Sequence, residues 1–120
     1  MANQGGGNIM MITEQMQGDI VLLSLNGRLD ANTSANLESA FAKLVEQGKG
    51  KFVFDLQGLD YVSSAGLRSL LAAAKMIKVI QGKLALARMN EHVKDVFDMS
   101  GFSRIFSIYE TEVDAVHAIS

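Results

Sequence analysis

The chain has 120 residues, of which 48% are hydrophobic, and its 11 Lys and Arg against 13 Asp and Glu give a net charge of -2. This length predicts one domain that buries about two-thirds of the surface exposed by its unfolded chain. Like charges do not cluster along the chain, which argues against binding to nucleic acid or to an anionic membrane.

Residues 1–8 contain three consecutive glycines and no periodicity, which predicts a flexible leader before a single domain at residues 9–120. Two short β-rich runs, 10–16 and 20–26, flank Gln17-Gly18-Asp19 and predict a hairpin. Cysteine is absent, so the chain has no disulfide and no thiolate metal site. The apolar runs fall far short of the ~20 residues that cross a bilayer, so no direct membrane insertion is expected.

Strands and helices are predicted to alternate after the hairpin. Apolar residues spaced three and four apart predict helices, and short β-rich runs predict strands. In chain order these are a helix over 33–48, a strand over 52–54, a loop over 58–62, a helix over 64–81, a strand over 83–87, a helix over 91–99, a strand over 105–109 and a helix over 112–119. The pattern predicts an α/β fold in which about four helices pack on a mixed, mainly parallel sheet.

The segment Ser63-Ser64-Ala65-Gly66 places two hydroxyls at the start of the helix over 64–81. In parallel sheets this end of the strands is where ligands and partners usually dock. Serine at a helix start most often caps a free backbone N–H, but a cap uses one serine and leaves the second hydroxyl free. Glycine in the first turn costs the helix about 1 kcal/mol relative to alanine, which indicates a close approach to its backbone.

The same helix is apolar on two faces. One face carries the leucines and Ile77, and the other carries Ala65, Ser69, Ala72, Ala73, Met76 and Ile80. The first face is expected to cover the sheet. The second is predicted to lie either beneath another helix of the chain or in an interface with another protein.

These residues resemble the STAS domain, which anti-sigma factor antagonists share with the cytoplasmic tails of sulfate transporters. The resemblance extends over residues 9–119. It rests on Gly27-Arg28-Leu29-Asp30, on Phe54-Asp55-Leu56 with Leu59-Asp60-Tyr61-Val62, on Ser63-Ser64-Ala65-Gly66-Leu67, on residues 96–102 and on Ile105-Phe106. The family often has Asp directly before the acceptor serine, where this chain has Ser63.

The resemblance implies a cytoplasmic, non-catalytic switch without a cofactor. An anti-sigma factor serine kinase would bind the unmodified protein and phosphorylate Ser64, with Ser63 as second choice, and a serine phosphatase of the PP2C type would reverse the step. The predicted partner-binding residues are Asp30, Ser63, Ser64, Ala65, Gly66, Arg68, Ser69, Met89 and Asn90. Asp30, Met89 and Asn90 follow predicted strands at the same rim, although Asp30 has the alternative role of capping the next helix. The alternative function is a constitutive adaptor subunit of a membrane transporter complex.

The sequence gives less support to two alternative functions, hydrolysis and metal binding. A hydrolase would use Ser64 as nucleophile with Asp95 or Asp98 and His117, but Val62 stands where a nucleophile elbow has glycine. A metal site would need His92 or His117, and neither histidine has suitable ligands at helical spacing. No catalytic residue and no metal ligand is therefore predicted.

Overall fold

The computed structural model describes residues 10–120 and begins with the predicted hairpin. Strand β1 (Met10–Gln17) pairs antiparallel with β2 (Ile20–Leu29). The pairing of Gln17 with Ile20 leaves a two-residue turn, in which Gly18 has a φ of 63°. This left-handed conformation explains the glycine. The predicted leader, residues 1–8, lies outside the described residues.

The remaining strands all pair in parallel. They are β3 (Lys51–Asp55), β4 (Leu59–Val62), β5 (Lys83–Ala87) and β6 (Ser107–Tyr109). The sheet order is β1-β2-β3-β5-β6, and β4 pairs with β2 beyond the end of β3. The predicted mixed, mainly parallel sheet is confirmed.

Residues 10–120 contain four α-helices, of which the first three connect strands and the fourth follows the last strand. They are α1 (Ser34–Glu46), α2 (Ser64–Val79), α3 (Glu91–Ser100) and α4 (Glu112–Ile119). The first three pack on one face of the sheet, where Phe52 and Phe54 are buried. Helix α4 covers part of the other face through Ala115 and Ile119. None of the helices in residues 10–120 is both long enough and apolar enough to cross a bilayer.

Three details differ from the sequence prediction. The expected loop over 58–62 contains strand β4, because Leu59–Val62 finds a partner in the last residues of β2. The last strand starts at Ser107, since a short 3-10 helix over Phe102–Arg104 precedes it. Helix α2 ends at Val79, before the predicted stop at Gly82.

Candidate functional site

Strand β4 brings the serine pair to the rim formed by the carboxyl ends of the strands. Leu29 at the end of β2 pairs with Val62, and the Ser63 N–H donates to the Leu29 carbonyl at 2.9 Å. Helix α2 starts at the next residue, Ser64. The pairing therefore fixes the start of α2 beside the end of β2, where Asp30 follows.

Ser63 and Ser64 have different structural roles. Ser63 is the N-cap residue of α2, and its Oγ accepts from the Gly66 N–H at 3.1 Å. Ser64 is exposed, and its hydroxyl has no hydrogen-bond partner within residues 10–120. Within the same range, the N–H groups of Ser64 and Ala65 also have no acceptor. The rim therefore presents a free hydroxyl at the positive end of the helix dipole.

The close approach indicated by Gly66 is made within the chain. A Cβ on Gly66 would lie 2.5 Å from the Leu29 carbonyl oxygen and 2.9 Å from the Leu29 side chain. Gly66 is buried, and the close approach that the sequence indicated is made by Leu29 and not by a partner. Ser69 is also buried, and its hydroxyl donates to the Gly66 carbonyl at 2.7 Å.

Asp30 organises the loop between β2 and α1. Its Oδ1 accepts from the N–H groups of Asn32 at 2.9 Å and Thr33 at 3.2 Å, and its Oδ2 lies 3.7 Å from the Arg28 Nε. The Arg28 guanidinium also lies 4.2 Å from the centre of the Tyr61 ring. Asp30 therefore fixes the turn before α1, whose N-cap residue is Thr33, and the predicted alternative that Asp30 caps this helix was wrong. The residue lies at the rim beside Ser63.

Asn90 joins the loop after β5 to the strand that leads into the serines. Its Oδ1 accepts from the Val93 N–H at 2.9 Å and caps α3, while its Nδ2 donates to the Leu59 carbonyl at 2.8 Å. Met89 is half-buried against the core beneath α1, α2 and α3. Asn90 therefore holds this loop against β4, while Ala65 and Arg68 lie on α2 beyond the serines.

A charge cluster around the buried residue Asp55, at the same end of the sheet, was missed by the sequence analysis. Asp55 is 3% exposed, and its carboxylate accepts from the Arg88 Nε at 3.1 Å and from Nη2 at 2.6 Å. The Arg88 guanidinium also lies 3.8 Å from Glu112 at the start of α4. Arg88 has a φ of 60°, an uncommon conformation for a residue with a side chain. The only sequence signal was a charged residue directly after each of two apolar strands.

This cluster shifts the pKa values of its members. Burial acts to raise the pKa of Asp55, but hydrogen bonds with Arg88, Glu112 and the Gln57 N–H outweigh it and hold the pKa below its ordinary value. The hydrogen bond with Asp55, together with burial, raises the pKa of Glu112. The hydrogen bond with Asp55 also raises the pKa of Arg88. The pKa shifts of Arg88 and Glu112 therefore share one cause, the negative charge of the Asp55 carboxylate, which stabilises the charged guanidinium of Arg88 and disfavours ionisation of Glu112.

The residues considered for hydrolysis and for metal binding do not come together in the described part of the chain. His92 and His117 are exposed on α3 and α4. Within residues 10–120, no group of three His, Asp or Glu side chains is placed to hold a metal ion. Asp98, one proposed hydrolase partner, instead accepts a hydrogen bond from the Ser103 hydroxyl.

Known proteins are similar to this chain in sequence and in fold. The family model for the STAS domain matches residues 11–115. BtrV of Bordetella bronchiseptica, which is named as an anti-sigma factor antagonist, is 36% identical over 109 residues, covering 91% of this chain and 94% of that protein. An anti-sigma F factor antagonist of Paenibacillus polymyxa is 29% identical over 110 residues, covering 91% and 93%. The solved structure of the Bacillus cell fate determinant SpoIIAA in its phosphorylated form has a TM-score of 0.72 at 19% identity, covering 92% of this chain and 100% of that chain. The chain therefore belongs to the STAS domain family, among the anti-sigma factor antagonists, which are regulators and not enzymes.

Proposed function

We propose that this protein is a cytoplasmic partner switch controlled by phosphorylation of Ser64. In its unmodified form it binds an anti-sigma factor serine kinase and keeps that protein from its own target. The kinase then phosphorylates Ser64 and releases the antagonist, and a serine phosphatase of the PP2C type restores the binding form. The relatives named as anti-sigma factor antagonists and the neighbour solved in a phosphorylated form support this assignment.

The observation that carries the proposal is the division of roles between the two serines. The Ser63 hydroxyl caps α2, whereas Ser64 is exposed and its hydroxyl has no hydrogen-bond partner among the described residues. A kinase can reach the Ser64 Oγ without unfolding the helix. In the transfer, the Ser64 Oγ forms a bond to the γ-phosphorus of ATP, its proton leaves, and the bond from that phosphorus to the departing ADP breaks.

The fold tolerates a phosphate on Ser64. The group carries about -1.5 to -2 charges and would sit at a helix N-terminus, where free N–H groups and the helix dipole favour an anion. Arg68 is exposed one turn further along α2, at the spacing that allows it to pair with the phosphate. The negative carboxylate of Asp30 would repel the phosphate, but the Arg28 guanidinium already partly neutralises that carboxylate.

A partner that buries Ser64 does not tolerate the phosphate equally well. A contact built for a neutral hydroxyl would have to remove water from a dianion, at a cost of several kcal/mol when the charge is left unpaired. Every 1.4 kcal/mol lowers affinity about tenfold, so this cost releases a micromolar complex. The predicted contacts of Asp30, Ala65, Arg68, Met89 and Asn90 at this rim would share in the same interface.

The proposal is tested by phosphorylation and capture in one experiment. The purified protein is incubated with ATP and a lysate of its source organism, and the phosphate and the captured partner are both identified by mass spectrometry. We expect one phosphate on the wild type, none on Ser64→Ala, and retained modification of Ser64 on the control Ser63→Ala. The captured partner is expected to be a serine kinase that binds Ser64→Ala but not Ser64→Asp.

Two outcomes contradict the proposal. Phosphate on Ser63 with Ser64 unmodified would reverse the assignment of the acceptor. A partner held equally by the wild type, Ser64→Ala and Ser64→Asp, with no phosphate on any of them, would favour the constitutive adaptor of a transporter complex.

A further inference from the structure

The second apolar face of α2 is only partly covered by α1. Ser69 and Ala73 are buried between the two helices, whereas Ala72 and Met76 remain exposed, Met76 by 43%. A depression of about 340 Å³ lies between the helices, and we call it the α1–α2 groove. Phe41 lies in its floor and packs on Phe52, with ring centres 4.7 Å apart. The groove therefore has an apolar floor anchored in the core.

The α1–α2 groove leads to the serine pair. A second hollow of about 440 Å³ shares Glu38 and Ala72 with the groove and extends to Ala65, the residue after Ser64. At a rise of about 1.5 Å per residue, the stretch of α2 from Ala65 to Met76 is about 16 Å long. A segment of about three helical turns would fill it while its end lies beside Ser64.

The groove and the adjoining hollow together carry opposite charges on their two sides. Glu38 and Glu46 lie along α1 beside the groove, and Arg68 and Lys75 lie along α2 beside the adjoining hollow. In each pair the two residues are about two helical turns apart. The ion pairs formed within residues 10–120 include none of these four side chains. The two sides therefore offer two parallel rows of charge that a partner can match.

We propose that the α1–α2 groove binds an amphipathic helix of the kinase partner. This helix presents an apolar stripe to the groove, Lys or Arg on the flank beside α1, and Asp or Glu on the flank beside α2. Because α1 and α2 satisfy their own backbone groups, the groove offers no edge for a strand, and a helix is the occupant that needs none. The inference rests on the proposed function, since it names the contact that aligns Ser64 with the kinase.

A second copy of this chain that inserted its own α2 into the groove would fit poorly. The matching element would be another α2, whose exposed charges are Arg68, Lys75 and Lys78, and the helix contains no Asp or Glu. Its cations would face those of the first α2 across the groove. Like charges brought together in an interface are unfavourable, so a different protein is the better occupant.

The test compares groove variants with a matched control. Ala72→Arg places a large side chain in the groove from an exposed position. Ala118→Arg makes the same change at an exposed position on α4, which packs on the other face of the sheet. Calorimetric titration with the serine kinase obtained from the capture experiment is expected to give at least tenfold weaker binding for Ala72→Arg and unchanged binding for Ala118→Arg. The double variant Glu38→Arg/Glu46→Arg is expected to bind more weakly than wild type, with the difference shrinking at high salt. Circular dichroism and thermal melting verify that each variant is folded.

A thiol protection experiment identifies the occupant. The chain has no cysteine, so Ala72→Cys and the control Ala118→Cys each carry a unique thiol. Bound kinase is expected to protect Cys at position 72 from alkylation and to leave position 118 reactive. Photo-crosslinking from position 72 is expected to label one kinase segment with the helical pattern described above.

The outcomes separate this proposal from the proposed function. If Ser64→Asp weakens binding while Ala72→Arg stays within twofold of wild type, the groove proposal fails and the switch stands. If Ser64→Asp has no effect, the switch itself fails. Crosslinks from position 72 to a second copy of this chain, or to a kinase loop or strand, would also overturn the groove proposal.

Discussion

The division of roles between Ser63 and Ser64 can be tested by stability alone, without any partner. Ser63→Ala removes the Oγ that accepts from the Gly66 N–H at 3.1 Å. Loss of an N-cap of this kind costs about 1 kcal/mol. Ser64 is exposed within the helix, where alanine is the better helix former, so Ser64→Ala is expected to be neutral or to stabilise by about 0.5 kcal/mol. The two variants should therefore differ by about 1 to 1.5 kcal/mol.

The assay is urea unfolding monitored by circular dichroism, with the wild type in parallel. In a thermal melt of a domain of this size, the same difference in free energy corresponds to a separation of about 4–6 °C between the melting temperatures. Equal stability losses in the two variants, or a loss in Ser64→Ala alone, would refute the assignment of the cap to Ser63. That result would also remove the structural reason for preferring Ser64 as the acceptor, because the capping hydroxyl would then be the one exposed to the kinase.

Three further variants test the structure around this rim. Gly66→Ala is expected to lower the free energy of unfolding by about 1–2 kcal/mol in urea titrations, because contact of the new Cβ with Leu29 outweighs a gain of about 1 kcal/mol in helix propensity; a stabilised variant would contradict this. Arg88→Met leaves Asp55 buried without its cation and is expected to cost about 1–3 kcal/mol at pH 7. Because the pKa of Asp55 is lowered by folding, that stabilisation is present above its unfolded pKa of about 3.9 and is lost as the pH falls through the folded value, so the difference in stability between the two proteins should shrink as the pH falls below about 3.9. Glu112 has a raised pKa, so its contribution is full below about pH 4.3 and is lost as the pH rises through the folded value. Glu112→Gln should therefore gain stability relative to wild type between pH 4 and pH 7, and a constant difference across that range would contradict the shift.

Local patterns were sufficient for most of the elements. The strand Lys83–Ala87 and the helix Glu112–Ile119 have the bounds that the sequence predicted. Helix α3 was also located closely, because Gly101 follows it with a φ of 81°, the left-handed conformation that ends many helices. In each case the signal lies within the element or directly after it.

Strand β4 could not be predicted in this way, because it depends on pairing between distant segments. Leu59–Val62 is short and follows Gly58, so it reads locally as a loop. It becomes a strand because β2 extends past β3 as far as Leu29 and offers a free edge there. The lengths of β2 and β4 are thus determined together, and neither segment alone carries the information.

The candidate site was predicted in position but not in detail. Two hydroxyls at the start of a helix were visible in Ser63-Ser64, whereas the identity of the cap depends on the backbone conformation of one residue. Ser63 has a ψ of 176°, and its extended backbone turns the Oγ toward the Gly66 N–H. The contact between Asp55 and Arg88 could not be predicted from local sequence patterns, because it joins residues that are 33 positions apart.

The proposed acceptor, Ser64, lies where a phosphate would change binding without changing the fold. The cap of α2 is supplied by Ser63, so a phosphate on Ser64 displaces no hydrogen bond made among residues 10–120. The α2 N-terminus is held by the Ser63 N–H on the Leu29 carbonyl and by the buried contact of Gly66 with Leu29, and neither involves the Ser64 side chain. The added charge would therefore act on the exposed rim and on a partner docked there. A switch built on Ser63 would instead trade partner binding against the stability of the helix, because the same hydroxyl would serve both.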